Sequence, residues 1–307
     1  MTAWIKRGLV FDTLRQGVGG WMRHSALTPT PWRREDGSIR VYASFRDDEG
    51  TGRIGYVDLH MGRPGDVARV SEQPVLDVGR GGCFDDNGMI LGDLVEAPGG
   101  LHMFYVGFQR VARAKFLAFS GLALSTDGGE TFARVQETPV LDRAPGRSSI
   151  AAIHSAMYEN GRWRLWYAAG DGWELIGGQP YPRYHIRYME TDDLHGAPSR
   201  DEVCLLPQGQ EYRIGRPRVY RDGDGYLMYF TRGDTKGGYF PGCATSRDGI
   251  HWERHDERFG LTLSERGWDS RTICYPALLD DGERTLMFYN GNDMGVDGFG
   301  MAEATHA

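Results

Sequence analysis

The chain has 307 residues, with 35 basic and 42 acidic side chains and a formal charge of -7. That balance argues against general nucleic-acid affinity, while leaving room for a local cationic pocket. No stretch approaches an apolar membrane span and residues 1–20 lack a signal-peptide core, so a cytoplasmic protein is the default expectation.

Glycine, at 44 residues, and a 12% aromatic content suit short strands joined by tight turns. Cys83, Cys204, Cys243 and Cys274 are far apart and form no metal-like pair, which reads as free buried thiols. No metal and no cofactor are expected.

The first candidate strand is Ile5-Lys6-Arg7-Gly8-Leu9-Val10-Phe11. Then Val41-Tyr42 opens a ladder that recurs as Phe104-Tyr105, Trp166-Tyr167, Tyr229-Phe230 and Phe288-Tyr289. The last aromatics of these pairs are 63, 62, 63 and 59 residues apart. A second ladder follows the first: Ile54-Gly55-Tyr56-Val57-Asp58, Leu122-Ala123-Leu124-Ser125-Thr126-Asp127, Ile186-Arg187-Tyr188-Met189-Glu190-Thr191-Asp192, and Cys243-Ala244-Thr245-Ser246-Arg247-Asp248. It ends in a truncated copy, Phe299-Gly300-Met301-Ala302-Glu303. Two ladders with one period signal a radial or solenoid array.

Each repeat reads as several short strands. In the second, residues 89–95 are apolar apart from Gly92 and Asp93, and Pro98-Gly99-Gly100 makes a turn. Strands over 101–107 and 118–125 follow, then the turn Asp127-Gly128-Gly129. The fourth repeat keeps this order, from Arg218-Val219-Tyr220 through Asp222-Gly223-Asp224-Gly225 to His251-Trp252. Such a pattern predicts an all-β chain: a five-bladed β-propeller of antiparallel four-stranded blades, one domain over residues 1–307. The last repeat stops after its third strand, so the N-terminal strand is expected to complete the last blade and cover its edge.

The first strand of each blade would face a central channel, near residues 22–28, 88–95, 149–157, 212–219 and 271–278. Polar residues there are binding candidates. They are His24; Asp93, with Asp86 at the strand entrance; His154; Glu211, Arg213, Arg216 and Arg218; and Asp269, Arg271 and Tyr275. Asp93, Asp86 and Glu211 are the candidate catalytic carboxyls. A structural ion pair is the competing reading for Asp93, as is a turn cap for Asp86. Because alternate strand residues face opposite ways, Arg213 and Arg218 need not share the facing of Arg216. Arg216 and Arg271 are the preferred anion-binding candidates, since guanidinium groups grip phosphate or carboxylate with paired hydrogen bonds. Trp173 and Tyr275 are candidates for stacking on a sugar ring. Segments 107–115, 170–184 and 232–239 read as long loops walling one face.

The motifs Ser125-x-Asp127-x-Gly129-x-Thr131-Phe132 and Ser246-x-Asp248-Gly249-x-x-Trp252 resemble the aspartate box of sialidases, a turn that marks blades. With the repeat grammar, the whole chain resembles the five-bladed propeller glycosidases: arabinanases, xylosidases, invertases, levansucrases and mannoside phosphorylases. That resemblance implies an Asp on the first blade as base or nucleophile, an orienting Asp on the second and a Glu on the third as acid. By blade, Asp93 or Asp86 matches the second. His24 stands on the first and His154 on the third, a departure from the hydrolytic pattern. The phosphorylase branch implies a single acid, with Arg and His holding phosphate. The expected function is therefore glycoside hydrolysis or glycosyl transfer on a small, anionic sugar derivative: a sugar acid, sugar phosphate or nucleotide-sugar. A noncatalytic carbohydrate-binding propeller, or one with unrelated biosynthetic chemistry, is the alternative. Neither nucleic acid nor membrane is an expected partner.

Overall fold

The structure, a computed structural model, describes residues 4–14, 19–60 and 62–305. It falls into two compact units, Met1–Asp77 with Glu257–Ala307, and Val78–Asp256. The first unit begins with β1 (Ile5–Phe11), β2 (His24–Arg33), β3 (Ile39–Arg46), β4 (Gly52–His60) and β5 (Arg63–Val70). In the second unit β6 (Met89–Ala97), β7 (Gly100–Val111), β8 (Ala114–Ser125) and β9 (Ala133–Arg134) come first. They are followed by β10 (Ile150–Glu159), β11 (Arg162–Ile176), β12 (Gln179–Thr191) and β13 (Arg200–Leu205). The last four there are β14 (Glu211–Asp222), β15 (Gly225–Asp234), β16 (Tyr239–Ser246) and β17 (Glu253–Arg254). β18 (Cys274–Asp280), β19 (Arg284–Asn290) and β20 (Phe299–Thr305) return to the first unit.

In the first unit β2 to β5 form one four-stranded sheet, and β18, β19, β20 and β1 form another. β1 pairs antiparallel to β20, with Ile5 opposite Glu303 and Phe11 opposite Phe299. The N-terminal strand thus fills the fourth place left open by the truncated repeat. The strands of the second unit form one curled sheet. It consists of three antiparallel runs, joined where β8 meets β10 and β12 meets β14 in short parallel pairings.

Burial explains the aromatic ladder. Tyr42, Tyr105, Tyr167, Phe230 and Tyr289 sit on β3, β7, β11, β15 and β19, the second strand of every run, and all are fully buried or nearly so. The first unit's core gathers Phe11, Val41, Phe45, Phe288 and Phe299. In the second unit Trp166, Tyr188, Ile214, Met228 and Phe230 pack together. The Asp-box motifs act as turn caps: Asp127 Oδ1 accepts the N–H groups of Glu130 and Thr131 at 3.1 Å, and Asp248 does the same for Ile250 and His251.

Two sequence expectations change. The expected loops 107–115 and 170–184 are mostly strand extensions, since β7 runs to Val111, β11 to Ile176 and β12 restarts at Gln179, whereas 232–239 keeps a turn between β15, ending at Asp234, and β16, starting at Tyr239. Gly177 and Gly178, with φ of 58° and 78°, supply the left-handed pair that a two-residue hairpin turn requires. Arg271 also falls outside its expected strand, because β18 begins at Cys274. Asn292 Oδ1 accepts the N–H groups of Arg271 and Thr272 and holds that segment as a turn.

Candidate functional site

The first strand of every run carries a register shift, and β2 and β14 carry a second one nearer their starts. The shifts common to all five lie between Leu27 and Thr30 in β2, Leu91 and Asp93 in β6, and Ile153 and Ser155 in β10. In β14 the shift is between Gly215 and Arg218, and in β18 between Cys274 and Ala277. Each bulge stands opposite the recurring aromatic pair of the neighbouring strand or the residues beside it. A bulge bends its strand and re-aims a side chain. Three of the bulged residues, Thr28, Arg216 and Tyr275, have φ of 55°, 54° and 55°. A non-glycine residue held there costs about 1–3 kcal/mol, and such strain gathers at functional sites.

In the second unit the bulges of β6, β10 and β14 bring polar groups together. Gly92 must be glycine, because a Cβ would lie 2.4 Å from the Ile153 carbonyl oxygen and 2.7 Å from that of Phe104. Its own carbonyl accepts Arg216 Nη1 at 2.9 Å and Arg218 Nη1 at 3.3 Å. Arg216 Nη1 also donates to the Leu91 carbonyl and lies 3.2 Å from His154 Nδ1. Asp93 Oδ1 accepts Arg218 and the Leu94 N–H, while Oδ2 accepts the Ala156 N–H at 2.9 Å. Asp93, His154, Arg216 and Arg218 are all buried. Arg216 and Arg218 therefore share one cluster at the Gly92 carbonyl, with the β14 bulge falling between Gly215 and Arg218. Burial works against the charge of Arg218, and Asp93 outweighs it, raising the guanidinium further above its usual value.

His154 is held neutral: burial first, then Arg216 and Arg218, push it well below its ordinary value of 6.5. Since Nδ1 accepts from Arg216, the ring proton sits on Nε2, a donor. As pH falls below about 6.5 the unfolded chain takes up a proton that folded His154 refuses, so stability falls. A His154→Gln variant is expected to lose up to about 1.4 kcal/mol per pH unit of that acid sensitivity, read by urea unfolding from pH 7 to 5. An unchanged slope would show that the imidazole protonates freely in the fold.

The other second-unit candidates differ in their commitments. Glu211 accepts Arg254 through both oxygens, at 2.5 and 2.9 Å, and also Arg232 and the Gln208 N–H. Burial opposes its charge, yet Arg254 and then Gln208 hold it below the usual carboxylate range, the state of an ionised partner to the arginines and not of a proton donor. Asp86 is half-buried, and Oδ2 accepts the Gly82 N–H at 2.8 Å. Gly82 lines a cleft of about 400 Å³ with Arg80, Phe84, Gln109, Glu137 and Arg143. Arg213 lies over the rings of Tyr212 and Tyr239, its guanidinium carbon 4.9 and 4.7 Å from their centroids. Trp173, opposite Pro182 on the β11–β12 hairpin, is 38% exposed.

In the first unit, Asp269 is 2% exposed and bonded to Lys6 Nζ at 2.6 Å and to the Tyr289 hydroxyl at 3.0 Å. It secures β1 instead of presenting a carboxylate to a ligand. Arg271 is exposed and paired with exposed Asp293 at 2.6 Å. His24 is half-buried with Nδ1 3.0 Å from Ser25 Oγ, and Tyr275 is buried at its bulge. Sequence reasoning missed Arg46, which the β2–β3 register places directly opposite His24. It also missed the bulges, three of which were signalled by a proline in or just after a predicted strand: Thr28-Pro29, Arg216-Pro217 and Tyr275-Pro276.

Among the described residues no three His, Cys, Asp or Glu side chains converge as a metal cluster, and no helix is long and apolar enough to cross a membrane.

No protein-family model matches the chain. It is 31% identical over 304 residues to Uncharacterized protein Rv1502 of Mycobacterium tuberculosis strain H37Rv, covering 98% of both chains. The protein MT1551 of M. tuberculosis strain CDC 1551 matches with the same identity and coverage. Among solved structures, a glycoside hydrolase aligns over 100% of this chain and 92% of its own, with TM-score 0.73 and 16% identity. A thermostable family-43 glycoside hydrolase aligns over 93% and 90%, with TM-score 0.67 and 15% identity. A third belongs to the GH130 family of mannoside phosphorylases, which contains glycoside hydrolases that target β-1,2 mannosidic linkages in Candida mannan. It aligns over 100% and 93%, with TM-score 0.64 and 16% identity. At these identities the likenesses are of fold alone.

Proposed function

The chain belongs to the family of the M. tuberculosis proteins Rv1502 and MT1551, and we propose that it is an enzyme of glycosidic bond chemistry on a five-bladed propeller. Its substrate is a small anionic sugar derivative. One observation carries the reading: all five first strands are bulged at equivalent points, and in the second unit those bulges gather Asp93, His154, Arg216 and Arg218. Polar groups assembled by strained bulges on a glycosidase scaffold are what binding and catalysis at a sugar centre require.

Of the three carboxyls, Asp86 best suits the acid. Asp93 is closed off by Arg218 and two backbone donors, and Glu211 by Arg254 and Arg232, whereas Asp86 stands beside the cleft loop. In the hydrolytic form the anomeric C–O bond breaks and the leaving oxygen takes a proton from the acid. A water oxygen bonds to the anomeric carbon and releases a proton to solvent, from which the acid is reprotonated for the next turnover. In the phosphorolytic form a phosphate oxygen takes the place of water and the product is a sugar 1-phosphate.

The test is a panel of neutral and carboxylated glycosides and sugar phosphates, with and without inorganic phosphate, read as released sugar or sugar phosphate. Turnover confined to anionic substrates, reduced roughly 10²–10⁴-fold in Asp86→Asn, is the expected outcome. Binding of panel members without turnover would favour a noncatalytic carbohydrate-binding protein. Neither turnover nor binding would remove the reading.

A further inference from the structure

In the first unit, Arg46 ends β3 and is half-buried. Half-buried arginines of this unit usually meet carboxylates: Arg53 pairs with Asp47 and Asp77, and Arg284 with Asp281 and Glu303. Those pairings raise Arg53 and Arg284, whereas burial pushes the Arg46 guanidinium down, with Tyr275 acting weakly the other way. Among the described residues no carboxylate is in ion-pair contact with Arg46. The nearest acids in sequence are taken: Asp47 by Arg53 and the Thr51 and Glu49 N–H groups, Asp48 by Arg23. A partly desolvated cation without a counter-charge is costly, and an incoming anion would relieve that cost.

The surroundings are built for such a ligand. His24 lies directly across the β2–β3 ladder, so its side chain shares a sheet face with Arg46. Its Nδ1 is engaged by Ser25 Oγ at 3.0 Å, so Nε2 is the ring nitrogen left to meet a ligand. Tyr275, close enough to act electrostatically on Arg46, is held at φ 55° by the β18 bulge.

We propose that Arg46, with His24 and Tyr275 beside it, forms a receptor for one carboxylate or phosphate group of a small ligand. Its fork of donors fits either oxyanion.

Calorimetric titration of the full chain with inorganic phosphate and, separately, with glucuronate tests this, alongside Arg46→Met and Arg46→Lys. Wild type should bind at least one of the two anions, and which one identifies the group. Arg46→Met should bind roughly tenfold or more weakly, with Arg46→Lys between them, since lysine keeps the charge and loses the fork. Without anion, Arg46→Met should melt no lower than wild type, because it removes an uncompensated charge. A lower melting temperature would mean that Arg46 serves a structural pair, and would overturn the proposal. So would unchanged binding in Arg46→Met, or the absence of binding of both anions by wild type. These readouts need no turnover, so they stand or fall separately from the glycosidic activity.

Discussion

Asp93→Ala is expected to cost about 3–5 kcal/mol of stability, the range for breaking a buried ion pair from one side. Asp93 and Arg218 have side chains only 7% and 8% exposed, so water cannot replace the lost partner. The substitution strands the Arg218 guanidinium and also removes the acceptor of the Leu94 and Ala156 N–H groups. Chemical denaturation of Asp93→Ala, Arg218→Met and the double variant Asp93→Leu with Arg218→Met checks this. The double variant should recover much of the loss, because no charge is then left unpaired. If Asp93→Ala unfolds with wild-type midpoint and loses turnover instead, the carboxylate belongs to the chemistry and not to the cluster that joins β6 to β14.

Phe11→Ala is expected to cost about 3–5 kcal/mol as well, through a cavity in the first unit. The ring is fully buried, 5.7 Å centroid to centroid from Phe45 in an edge contact and 5.8 Å from Phe299 in a stacked one. The backbone there is just as tight: Gly298, at φ 114°, would place a Cβ 1.8 Å from the Phe11 carbonyl oxygen. Loosening β1 also exposes the hydrogen-bonding edge of β20. Faster amide exchange along β20, together with a lowered unfolding midpoint, is the signature to measure. A loss under about 1 kcal/mol would mean that β1 only decorates the sheet.

These substitutions probe opposite kinds of legibility. Phe11 could be read in the sequence: an apolar strand at one end of the chain and a repeat lacking its fourth strand at the other imply a pairing across 288 residues. The aromatic ladder was equally legible, since large apolar side chains with a fixed period must be buried together. Arg271 was misread by extending a strand three residues too far, a boundary that Asn292 sets from outside the segment. Asp269 looked like a ligand group only because Lys6, its partner, lies 263 residues away.

Composition, period and turn chemistry are local, so the chain by itself fixed an all-β architecture, the repeat count and the strand order. What a polar side chain faces is not local. Alternation in a regular β14 would put Arg216 and Arg218 on one face, yet a bulge interrupts the strand there, and the two meet at the Gly92 carbonyl through that bulged geometry. Glu211 became an ionised partner of Arg254, and Arg46 stood out only once its neighbouring acids were seen to be taken. Register, strain and the competition for counter-charges depend on contacts between distant segments, and only the tertiary structure settled them.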